Sequence, residues 1–152
     1  MNRILITLFC MLGAWQLHAQ TVKPLTSGIY RIVPKGTNAY KDQSTNETYY
    51  LSAAGAVTVK DMKSIATGIA SNGYAELTIQ LNEAGKLLFS KLTQKNVGKK
   101  LAVLVNGKVV MAPQVMSPIT GGSLSVSGSF SFAEVDAMKK GLDKEMKSAQ
   151  KK

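Results

Sequence analysis

Asn106-Gly107 stands between two apolar runs, Leu101-Ala102-Val103-Leu104-Val105 and Lys108-Val109-Val110-Met111-Ala112-Pro113-Gln114-Val115. A two-residue turn of type I′ needs positive φ at both central positions, and Asn followed by Gly reaches that region at little cost. The dipeptide therefore predicts that Leu101–Val105 and Lys108–Val115 fold back on each other as an antiparallel hairpin. A chain with this local commitment is not an all-parallel α/β protein.

The segments before the hairpin supply further strands. Ile29 to Val33 reads as a strand stopped by Pro34, which has no N–H to donate to a ladder. Lys35 to Glu47 is rich in Gly, Asn, Asp and Ser and reads as a loop, and Thr48 to Leu51 as a second short strand. Thr58 followed three residues later by Asp61 is a helix-start pattern, and predicts a short helix that ends before the Ser71-Asn72-Gly73 turn. Tyr74 to Leu81 alternates cleanly, so Leu77, Ile79 and Leu81 are expected to face inward. Asn82 caps a helix from Glu83 to about Thr93, with Ala84, Leu88 and Leu92 on one face and Leu87 and Phe89 widening it. Asn96-Val97-Gly98 ends that helix.

After Val115, Met116 to Gly122 has the composition of an ordered loop, and Ser123 to Gly128 alternates Leu124 and Val126 with serines. Ser131 with Glu134 forms a capping box, with Phe130 placed to staple against Val135. The last helix then carries Phe132, Val135, Met138, Leu142 and Met146 on one stripe. Helices set among antiparallel strands give the class α+β: a mixed, mainly antiparallel sheet with two main helices and one short helix.

Residues 1–19 read as a signal peptide: Arg3, an apolar run from Ile4 to Trp15, and Leu17-His18-Ala19 before a cut at Gln20. Phe9 stands where a lipobox needs Gly or Ala, so Cys10 reads as one more apolar residue of that signal. The remaining divisions are a linker over 20–27, one domain over 28–142 and a lysine-rich tail over 143–152, expected to fray. The chain's single Cys, His and Trp all fall within residues 1–19. Beyond them no thiol nucleophile, imidazole base or soft metal ligand remains, and no cofactor or metal is expected. The expected place is the periplasm or the cell exterior.

Nineteen Lys and Arg residues against nine Asp and Glu residues give a formal charge of +10, and Arg31 is the sole Arg after the leader. Sequence-reading nucleic-acid binders rely on Arg forks and stacking aromatics, so nucleic acid is not the expected partner. No apolar run beyond residue 20 approaches the roughly 18 residues of a spanning helix.

The order of motifs resembles the head part of the first periplasmic domain of the SecD protein-export membrane protein. The segments that carry the resemblance are Asn82-Glu83-Ala84-Gly85, Leu92-Thr93, Asn96-Val97-Gly98-Lys99, Gly107-Lys108-Val109, Ala112-Pro113, Pro118-Ile119-Thr120-Gly121-Gly122 and Ser127-Gly128-Ser129-Phe130. They extend the likeness over about Tyr49 to Leu142. In that family the head is inserted in a ferredoxin-like base tied to transmembrane helices that use the proton gradient, and none of those parts is expected here. The resemblance implies a head that touches or holds an emerging polypeptide.

The acidic residues are scattered, and Asp61, Glu83 and Glu134 are accounted for as helix-start residues, so no catalytic pair emerges and an enzyme is not expected. Gly121-Gly122 lacks the Lys-Ser/Thr of a phosphate loop. Methionine is favoured at adaptable binding surfaces, and Met111 and Met116 flank a proline-punctuated loop. Met111, Pro113, Val115, Met116, Pro118 and Ile119 are therefore the candidate binding residues. Two readings follow. One is an exported, non-enzymatic binding domain that contacts unfolded polypeptide or an envelope protein in export. The other is a structural or adhesion-type protein held to an anionic envelope surface by its lysines.

Overall fold

The computed structural model describes residues 24–151, so the leader and its cleavage site lie outside the described residues. The strands are β1 (Gly28–Val33), β2 (Ala39–Lys41), β3 (Thr48–Thr58), β4 (Met62–Ile69), β5 (Ala75–Leu81), β6 (Leu101–Val105), β7 (Lys108–Met111) and β8 (Ser123–Ser127). The helices are α1 (Glu83–Lys95) and α2 (Phe132–Gln150), with one 3-10 turn at Val59–Asp61. The α+β class stands, with its strands divided between two antiparallel sheets.

The first sheet runs β2-β3-β1-β6-β7. Its two edges meet: Asp42 bridges Val109, and the Gln43 N–H donates to the Val109 carbonyl at 2.8 Å. The sheet so curled encloses a small core of Tyr30, Leu51, Ala102, Leu104 and Val109. The second sheet, β4-β5-β8, packs with both helices against the other face of the first. Leu77, Ile79, Leu81 and Val126 meet Ile29, Val57, Leu101 and Val103 there.

Asn106 and Gly107 take φ of 51° and 77°, as the type I′ turn requires. The hairpin carries a bulge, with Leu104 opposite Val109 but Val103 opposite Met111. Pairing then continues past β7: the Leu101 N–H donates to the Pro113 carbonyl and the Val115 N–H to the Lys99 carbonyl.

Six expectations need correction. Part of the stretch read as loop, Ala39–Lys41, is strand β2, closed by an Asp42–Glu47 turn in which the Asp42 carboxylate accepts N–H groups from Ser44 and Thr45. β3 continues to Thr58 because its small residues bulge out, with Gly55 at φ 71°, before pairing resumes at Val57. The capping residues Thr58 and Asp61 start only a 3-10 turn, and a strand follows. A bulge between Met62 and Ser64 leaves Met62 and Ile65 buried, three apart, which imitates a helical period.

In α1 the buried side is Gly85, Phe89, Leu92 and Thr93, while Ala84, Leu87 and Leu88 face solvent, Leu87 at 65% exposure. In α2 Val135, Met138 and Leu142 are buried but Phe132 is 60% exposed. That helix does not fray at Asp143. It runs to Gln150, with Ala149 against the core and the Glu145 carboxylate accepting both the N–H and the hydroxyl of Ser27 at 2.7 Å.

Candidate functional site

The candidate residues fall on one side of the molecule, where β7 and β8 border the space between the sheets. Pro113 is the hinge of the site. On one side it lines an apolar cavity of about 270 Å³ whose floor is Ile29, Phe89, Leu101 and Val103, with Leu124 in the wall. On the other it lines a larger cleft of about 640 Å³ between Val110–Pro113, Asp42–Thr45 and Ser127–Phe130.

The structure distributes the six predicted residues unevenly. Met116 is 79% exposed and stands with Pro113 and Ile119 at the mouth of the smaller cavity. Val115 belongs to the same wall but is buried, because the extended hairpin holds it. Its side chain is part of the core and presents little surface. Met111 is half-buried against the core and opens only onto the larger cleft. Pro118 is exposed and lines neither space.

The loop is fastened at both ends. The Gly98 N–H donates to the Val115 carbonyl at 2.8 Å, and the Ile119 N–H donates to Thr93 Oγ1 at 2.9 Å. Thr93 is buried in α1 and its hydroxyl also donates to the Phe89 carbonyl. The exposed thioether of Met116 is thus carried on an anchored backbone, which limits the ordering cost of binding.

The larger cleft is polar at its far side. Burial alone would raise the Asp42 carboxyl, but hydrogen bonds from the backbone of Thr45 and from Ser44 more than offset this and hold it below its ordinary value. Glu134 is likewise held low by the backbone and hydroxyl of Ser131. The Tyr49 phenol, hydrogen-bonded to Glu47, is pushed up to about 12. Asp42 is committed to a turn, Glu134 to a helix cap and the Tyr49 hydroxyl to Glu47. Asp42 was missed from the sequence as a lining residue; the polar run around it read as featureless loop. Among the described residues no group of three or more His, Cys, Asp or Glu side chains is placed to hold a metal ion, and no helix is long and apolar enough to cross a membrane.

A separate cavity of about 460 Å³ lies elsewhere, bordered by Arg31, Lys91, Lys95 and Lys99 over Leu88 and Leu92. It is a cationic feature to set against the apolar site.

Comparison with known proteins decides the family. The model of the SecDF P1 head subdomain matches residues 37–144, about seven-tenths of the chain. The chain belongs to the SecDF P1 head family. Among the curated relatives, protein translocase subunit SecD of Acidaminococcus fermentans is 40% identical over 80 residues, covering 53% of this chain and 19% of its own length. SecD of Rickettsia conorii is 28% identical over 109 residues, covering 70% of this chain and 21% of its own. The chain thus spans about a fifth of these relatives.

Two solved SecDF structures share the fold. One, of a membrane component SecDF that enhances protein export, has TM-score 0.61 at 20% identity, covering 77% of this chain and 62% of that one. The other, SecDF in a super-membrane-facing form, has TM-score 0.56 at 20% identity, covering 76% and 18%. The loop, and the lining of the smaller cavity apart from Ile29, lie within residues 37–144.

Proposed function

We propose that this chain is an exported, non-enzymatic binding domain that contacts polypeptide in protein export through the loop Pro113–Ile119. The supporting observation is Met116, a large apolar side chain held out in solvent on a fastened loop, beside Pro113 and Ile119 at the mouth of an apolar cavity. Such a surface suits apolar segments of many sequences, because methionine adapts its shape to its partner. Family membership supports the export setting, since the relatives are translocase subunits. In this reading the leader is removed between Ala19 and Gln20, which intact-mass measurement of exported material checks.

The test is affinity for a permanently unfolded polypeptide. Fully burying a Met or Ile side chain contributes about 1.5–3 kcal/mol. Met116→Ser with Ile119→Ser is therefore expected to weaken binding about tenfold or more, at unchanged thermal midpoint. Equal affinities of the double variant and the parent chain would exclude this loop as the contact.

A further inference from the structure

β8 pairs with β5 on one side only. Its register runs unbroken from Glu76 opposite Ser127 to Gln80 opposite Ser123. One step further, the Leu81 N–H donates to the Gly122 carbonyl at 2.7 Å. In an antiparallel ladder, pairs that exchange hydrogen bonds alternate with pairs that do not. The bonded pairs are therefore Leu81 with Gly122, Ile79 with Leu124, and Leu77 with Val126. The backbone groups of Ser123, Ser125 and Ser127 consequently point away from β5, and no other backbone pairs with them among the described residues.

Free edges are normally guarded by charge, proline, a bulge or a covering element. β2 and β7 guard each other through Asp42 and Gln43 against Val109. β4 carries Lys63 and a bulge. β8 has none of these devices. It reads Ser-Leu-Ser-Val-Ser, with all three serines exposed.

The same edge borders the apolar cavity. Leu124 forms part of the wall, facing the mouth at Pro113, Met116 and Ile119. A strand added outside β8 would direct alternate side chains to the Leu124 side of the sheet. A volume of about 270 Å³ has room for one large apolar side chain. We propose that the outer edge of β8 accepts an extended segment of polypeptide as an additional strand, with one apolar side chain of that segment seated under the Pro113–Ile119 loop. Recognition through backbone groups tolerates many sequences, and the cavity adds a preference for alternating apolar residues. A second copy of this chain is a poorer occupant: its β8 offers serines on one face, and on the other Leu124 and Val126, already committed to its own core.

The inference rests on the polypeptide-binding reading and states how the polypeptide is held. The test is amide hydrogen exchange followed by NMR, with a capped synthetic peptide alternating Leu or Phe with Thr as the probe. In the free protein, Leu124 and Val126 are expected to exchange slowly and Ser123, Ser125 and Ser127 quickly. Saturating peptide is expected to slow the three serine amides tenfold or more. Ser125→Pro removes only an outward-facing N–H, and is expected to weaken peptide binding tenfold or more. Thr67→Pro, at the equivalent phase on the outer edge of β4, is expected to leave affinity unchanged.

Peptide binding with serine amides that remain fast would overturn the edge site and leave the polypeptide-binding reading intact. Absence of any peptide binding would overturn both. Serine amides already slow in peptide-free protein, together with a dimer in sedimentation, would make a second copy the occupant and overturn the proposal.

Discussion

Gly85→Ala is expected to destabilise this protein, although in an isolated helix the same exchange stabilises. Gly85 lies in the first turn of α1, where alanine's helix propensity favours it over glycine by about 1 kcal/mol. A Cβ on Gly85 would overlap the Asp61 carbonyl oxygen and stand 3.0 Å from Asp61 Cβ and 3.1 Å from its carbonyl carbon. Those atoms are not free to yield. The Asp61 carbonyl accepts the Asn82 N–H at 2.9 Å, and its carboxylate accepts the Thr58 N–H at 2.8 Å. Relief requires α1 to shift outward, which loosens Phe89 and Leu92 in the core. Overpacking costs about 1–3 kcal/mol, and a clash with fixed backbone falls in the upper part of that range, about 2–3 kcal/mol. After the propensity gain of about 1 kcal/mol the net loss is about 1–2 kcal/mol. For a domain of this size the thermal midpoint should fall by about 3–8 °C. Thermal and urea denaturation read it directly, and a midpoint that rises or stays unchanged would refute the contact between α1 and the Thr58–Asp61 turn.

Three further outcomes are expected. Gly107→Val places a β-branched residue at φ 77° and should cost about 1 kcal/mol or more, seen as a lowered urea midpoint. Ser27→Ala removes a buried hydroxyl that donates to Glu145 and accepts the Asn106 N–H, so a loss of about 1–3 kcal/mol is expected; an unchanged midpoint would mean that α2 is not fastened there. The Asp42 pKa is lowered in the folded state, so its stabilisation is complete above its ordinary value of 3.8 and is lost as pH falls through the folded value. Asp42→Asn should therefore reduce stability at neutral pH and flatten the acid limb of a stability–pH curve.

The features legible in the sequence are those fixed by local chemistry. Asn106-Gly107, the Asn82 cap and the Ser131–Glu134 box each specify a backbone geometry through their own side chains, and each appears where expected. Burial was harder to read. In α1 two stripes compete, Ala84-Leu88 and Gly85-Phe89. The second is inside because Gly85 lets the helix approach the Asp61 turn, so the deciding residue is the one with no side chain. Thr58 and Asp61 misled because their capping box starts only a single 3-10 turn before β4. Within the candidate site, the exposure of Met116 followed from its loop. Val115 is buried because the hairpin pairing read from Asn106-Gly107 does reach it, resuming beyond the Val103–Leu104 bulge, so counting it among the binding residues gave that pairing too little weight. The free edge of β8 is a property of sheet order, invisible until β5 is seen to lie between β4 and β8.

A salt series on polypeptide binding tests the central claim most directly. Raising ionic strength from physiological to 1 M shortens the Debye length from about 8 Å to about 3 Å, which weakens attraction through exposed lysines but spares buried apolar contact. The account predicts that binding of unfolded polypeptide persists in 1 M salt, falls about tenfold or more with Met116→Ser and Ile119→Ser, and changes little when Lys91, Lys95 and Lys99 around the basic cavity become Gln. Binding that collapses with salt and with those lysines, yet ignores Met116 and Ile119, would contradict it.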